Sequence, residues 1–116
     1  MERHSIKECL YCIKNHIDAV ENGQREQAIF DEIESDFYEM LELIKLFMIS
    51  ERDSYYGYFM MNLSYHADFC SNCIAGIRLN TYPPVMNSNP LLLCKHSLKE
   101  IIFIICHEIE HIVLNH

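Results

Sequence analysis

His107, Glu108 and His111 stand in the run His-Glu-Ile-Glu-His near the end of this 116-residue chain. On a helix of about 3.6 residues per turn, positions four apart lie roughly 40° apart, one turn above the other. Two imidazoles so placed can face one divalent cation, and zinc is the ion that suits nitrogen donors of this kind. Glu108, one residue on and rotated by about 100°, flanks such an ion rather than binding it. From there a carboxylate can take a proton from water activated by the metal and return it to a leaving amine. The predicted chemistry is metal-assisted hydrolysis, with His107 and His111 as zinc ligands and Glu108 as general base.

A catalytic zinc needs a third protein ligand and an open position for water. His116, nine residues after His107, is the nearest candidate. On an unbroken helix it would point to the opposite side from His107, so it converges only if the helix ends around Leu114-Asn115 and the chain folds back. Otherwise the third ligand lies on a segment outside this chain. A shuffled chain of this composition would show the motif at a rate of roughly 0.04, so its surroundings must add to it.

The six cysteines allow a second metal reading. Cys9-x-x-Cys12 and Cys70-x-x-Cys73 have zinc-knuckle spacing and could join in one four-cysteine structural site. Against this, Cys9 and Cys12 fall inside a helical pattern, and buried cysteines often serve as small hydrophobes. Cys94 and Cys106 read as packing residues. His4, His16, His66 and His96 read as surface residues, with His96 able to approach the start of the last helix.

The elements that position these groups can be read from pattern. Ser97-Leu98-Lys99-Glu100 is a capping box, in which serine and glutamate satisfy each other's backbone amides at a helix start. Beyond it Ile101 to Cys106 is apolar on every side, which predicts a buried C-terminal helix into which the His and Glu residues are inserted. Upstream, Ile6, Leu10, Ile13, Ile17 and Val20 form one apolar helical face, closed at Asn22-Gly23. A second amphipathic segment over 27–49 turns Ile33, Phe37, Met40, Ile44 and Met48 inward. Its other side, with Asp31, Glu32, Glu34, Glu39 and Glu42, reads as a solvated face. The pattern breaks at 50–53. Tyr55 to Leu63 then predicts a third helix packed into the core. Short strands are expected around 74–79 and at Val85-Met86, separated by a turn at Tyr82-Pro83-Pro84 and followed by a loop over 87–90. The predicted fold class is α+β, mainly helical with a small sheet, as one compact domain: a helical lead-in over 1–50 and a core over 51–116.

Tyr55-Tyr56-Gly57-Tyr58-Phe59, Ala75-Gly76-Ile77, Asn89-Pro90-Leu91-Leu92 and His107-Glu108-Ile109-Glu110-His111 occur in that order. In this order they resemble the metallopeptidase domain of bacteria and phages that precedes von Willebrand factor A-like domains. The resemblance covers residues 52–116 and implies a zincin-like core, Zn2+ as cofactor, His107 and His111 as ligands and Glu108 as general base. Members continue past the motif into another helix with an acidic residue, so a chain ending at His116 is expected to be either truncated or a shortened natural form, with an incomplete site in both cases. Metallopeptidases that cleave phage-type repressors in stress responses also carry an apolar helix running into His-Glu-x-x-His, but lack the aromatic-glycine helix and the Asn-Pro.

A net charge of −8 disfavours nucleic acid and anionic membrane as partners. The first residues have no secretory pattern and no apolar run approaches a membrane span, so a cytoplasmic location is expected. The expected partner is a peptide or protein substrate. Self-association into a homo-oligomer is predicted from an apolar motif helix at a truncated end. The competing readings are an inactive metal-binding or interaction module and an acidic helical adaptor.

Overall fold

A computed structural model describes residues 5–52 and 54–113. Helix α1 (Ile6–Glu21) begins where the Ser5 hydroxyl accepts the Glu8 amide at 3.1 Å, and it ends at Asn22. Gly23 follows at φ 100°, a left-handed conformation that glycine adopts without steric cost. Helix α2 (Gln27–Phe47) packs back along α1 as a hairpin. The predicted apolar faces meet there: Ile13, Ile17 and Val20 from α1, and Ile33, Phe37, Met40 and Ile44 from α2, are all buried.

The break expected after residue 49 is a π-helical turn, Met48–Arg52, that continues α2 and leads into α3 (Ser54–Met61). Gly57 explains how closely these two elements approach. A Cβ at that position would lie 2.5 Å from Ile49 Cγ1 and 2.7 Å from its backbone nitrogen. The expected third helix packs on the core by one side, with Met60 in the core and Tyr56 and Phe59 against it. In α3 only Gly57 and Met60 are buried, whereas Tyr55, Tyr58 and Met61 are exposed.

Three short strands follow: β1 (Ser64–Ala67), β2 (Ala75–Arg78) and β3 (Val85–Ser88). The order across the sheet is β1-β3-β2, with β3 parallel to β1 and antiparallel to β2. Ser88 is the register partner of both Ala67 and Ala75, so the 68–74 loop arches over the end of the central strand. Two backbone bonds close the arch, Asp68 N–H to Ser88 O at 2.8 Å and Asn89 N–H to Ile74 O at 3.4 Å.

Asn89-Pro90 is not loop. Asn89 caps a short helix, α4 (Pro90–Leu93), by accepting the Leu91 amide at 2.9 Å, and proline suits the first helical turn because its missing N–H needs no partner there. Its side-chain amide donates to Phe69 O at 3.2 Å and Ser71 O at 2.8 Å, which anchors the arch from beneath. Helix α5 (Leu98–Val113) then lies against β2 and α3. One hydrophobic cluster runs from Cys9 to Ile109 and draws on every helix and on strands β1 and β3. The fold is α+β, mainly helical with a small mixed sheet.

Candidate metal centre

The start of α5 is fixed by the predicted capping box. Ser97 N–H donates to Glu100 Oε1 at 2.9 Å, and Glu100 N–H donates to Ser97 Oγ at 3.2 Å. Accepting the Ser97 backbone amide holds the Glu100 carboxyl below its ordinary range, with smaller help from the Ser97 hydroxyl and from His96. His96 Nδ1 lies 3.8 Å from Glu100 Oε2, as its expected approach to the helix start implies.

All-round burial of α5 is overturned. Ile101, Ile102, Ile105 and Ile109 are buried, but Phe103 is 69% exposed and His107 is exposed. At about 100° per residue the four isoleucines fall in one arc, and the His107–His111 pair lies nearly opposite it. The motif therefore points away from the core. A uniformly apolar run carries no periodic signal of which side is packed, and here the neighbours cover only one side.

On the outward face Phe103, His107 and His111 form a stripe at steps of four. The Phe103 and His107 rings are stacked, with centroids 6.0 Å apart and planes inclined by 15°. His111 meets His107 edge-on at 4.4 Å and 87°. Their Nε2 atoms lie 2.9 Å apart, a hydrogen bond in which one ring donates its N–H and the other accepts. Zinc held by two imidazoles at about 2.0–2.1 Å needs its nitrogens roughly 3.3 Å apart, so a small opening of the pair admits the ion. The shared proton would have to leave the Nε2 atoms, since both lone pairs are then used.

The two glutamates flank the pair on opposite sides. Glu108 is half-buried. Glu110 accepts a hydrogen bond from the Tyr56 hydroxyl of α3, which ties the motif helix to the aromatic helix. Neither Phe103 nor Tyr56 was expected at the site. Both are aromatic residues whose role depends on which face of their helix is packed.

Among the described residues no group of three His, Cys, Asp or Glu is placed to hold a metal ion. His116, proposed as third ligand, lies outside the described residues, as does His4. The cysteines do not assemble as a four-cysteine centre. Cys9 is buried on α1 and its thiol donates to Glu39 Oε2 at 3.0 Å, whereas Cys70 and Cys73 are exposed on the arch. Glu39 is thus no bystander on a solvated face. Burial, with the Glu39 contact second, pushes the Cys9 thiol up to about 12. Cys94 is fully buried, as its packing reading expected, and burial pushes it up to about 12 as well. His16 departs from a simple surface residue, because its Nδ1 is buried without a hydrogen-bond partner.

No helix among the described residues is long and apolar enough to cross a membrane. Comparison with protein-family models, with curated proteins and with solved structures finds no match.

Proposed function

We propose that the chain is a zinc-dependent metallopeptidase, or the part of one that carries the motif helix, with a zincin-like arrangement of α5 against the sheet. The convergence of His107 and His111, with Nε2 atoms 2.9 Å apart on the outward face of α5, carries this reading. Those two residues would hold the ion, and His116 is the proposed third ligand. Bound zinc supplies Lewis acidity, which activates water and polarises a carbonyl. Phe103 stacks on His107 and limits the rotation of its ring. Glu108, on the flank not taken by Tyr56, holds the proton in transit from water to the leaving amine.

The test is zinc content and cleavage of protein purified without a nickel column. One zinc per chain is expected, lost in both His107→Ala and His111→Ala. Glu108→Gln should keep the metal while lowering peptide cleavage by about 10²–10⁴-fold, the usual worth of a general base. Zinc that survives both histidine substitutions overturns the site. Metal retained with no cleavage of a peptide library would leave a metal-binding module instead of an enzyme.

A further inference from the structure

The chain contains the same cysteine spacing twice, and the fold gives the two copies different chemistry. Cys9 and Cys12 lie three apart inside α1. Regular helix sets the Cβ atoms of such a pair about 5–6 Å apart, beyond the roughly 3.5–4.5 Å that a disulfide needs. Cys9 is in addition 1% exposed and bonded to Glu39. That pair is locked out of thiol exchange.

Cys70 and Cys73 sit at the top of the arch, both exposed, in irregular chain that bends at Asn72. Three chain steps span at most about 10–11 Å, and because 70–73 is irregular chain it can close to the roughly 4.4–6.8 Å range of disulfides without unwinding any helix or strand. The arch is held by its own surroundings. Cys70 N–H donates to Asp68 Oδ1 and Cys73 N–H to Ser71 Oγ, both at 3.0 Å. From below, Asn89, 5% exposed, grips the Phe69 and Ser71 carbonyls. A groove of about 330 Å3, lined by Asp68, Ser71, Cys73, Arg78 and Asn87, opens beside Cys73, while Cys70 is reached directly from solvent. The two thiols also differ. Cys73 Sγ–H donates to Ala75 O at 3.1 Å, which orients that thiol, whereas Cys70 stands free of the strand at the turn.

We infer that Cys70 and Cys73 are a reversible dithiol–disulfide couple that exchanges with low-molecular-weight disulfides such as oxidised glutathione. Cys70, as thiolate, attacks one glutathione sulfur. The glutathione S–S bond breaks, one glutathione leaves as thiolate, and a mixed disulfide forms on Cys70. Cys73 then gives up its proton to solvent and attacks the Cys70 sulfur, expelling the second glutathione. Two protein thiols lose two electrons and two protons, and one glutathione disulfide becomes two thiols. The arch joins β1 to β2, and β2 packs on α5, so the couple sits one element away from the motif helix.

The test uses the full chain, reduced and then exposed to oxidised glutathione, quenched in acid and mapped by proteolysis and mass spectrometry. Wild type should lose about 2 Da in the peptide spanning both cysteines, and dithiothreitol should reverse the loss. Cys73→Ser should trap glutathione on Cys70. Cys70→Ser, left with one thiol on the arch, should form no disulfide there and carry glutathione on Cys73 at most. A disulfide that maps to Cys9–Cys12 or between chains overturns the inference, as does wild type that accumulates stable glutathione adducts on both residues. Zinc content and peptide cleavage play no part in this readout, so its outcome is independent of the proposed activity.

Discussion

Glu108 and Glu110 are the same residue type two positions apart, yet only Glu110 is tied to α3 through the Tyr56 hydroxyl. A hydrogen bond of this kind contributes about 0.5–1.5 kcal/mol net, and less where solvent competes. Tyr56→Phe keeps the ring and removes only the donor. It is expected to lower the thermal midpoint by a few degrees, about 1 kcal/mol or less, in a calorimetric comparison with wild type. An unchanged midpoint would mean that water replaces the tyrosine at no cost. At this scale the histidine pair was legible, because spacing alone fixes two side chains on one helix. Its partners were not. Tyr56 lies 54 positions before Glu110, and no local pattern links residues that meet only through tertiary packing.

Among the elements, the contact between the π-helical turn and α3 is the least tolerant of change. Gly57 is helical, so its backbone freedom is not what matters; the missing side chain is. An added methyl would lie within 2.9 Å of three atoms of Ile49, two of them backbone. Gly57→Ala should therefore destabilise by about 1–3 kcal/mol despite alanine's better helix propensity, read as a lower urea midpoint. A stabilised variant would show that the approach is looser than described. Helices α1 and α2 were legible because apolar residues at steps of three and four mark a packed face, and α5 because Ser97 and Glu100 mark its start, although its all-round apolar run hid which side packs. Strand β1 was not. Ser64-Tyr65-His66-Ala67 has neither β-branched residues nor a clear alternation, and it becomes a strand only because Val85–Ser88 arrives to pair with it. The helical cap at Asn89 was hidden for a related reason, since Asn-Ser-Asn-Pro composition fits a loop and a capped first turn equally well.

Taken as a whole, the molecule is set to lose stability in alkali. Burial raises the Cys9 and Cys94 thiols to about 12 from an ordinary 9.0, and burial also raises the Tyr65 phenol, which donates to Met60 O at 2.9 Å. Below pH 9 these groups are protonated in both folded and unfolded chains, and their contribution is fully present. As pH rises from 9 towards 12 the unfolded chain releases protons that the folded chain keeps, so unfolding gains. Each buried thiol then removes up to about 1.4 kcal/mol per pH unit. The chain has no tryptophan, so circular dichroism is the suitable probe. Urea midpoints should fall steeply between pH 9 and 11, and Cys94→Ala, although less stable at pH 7, should show a shallower fall. Equal slopes in the two proteins would exclude Cys94 as a source.

The sheet order β1-β3-β2 also dictates a sequence of events for a chain made from its N-terminus. The helical hairpin of α1 and α2 can close on neighbours already synthesised. The strands cannot: β1 and β2 do not pair with each other but come to lie two strand widths apart, about 9–10 Å, on either side of a strand that follows both in the chain. Until Val85–Ser88 is inserted, each lacks a partner on both sides, whereas in the finished sheet only its outer edge stays open. A chain in which Val85–Ser88 is not yet in place is therefore the form most open to pairing with the wrong strand.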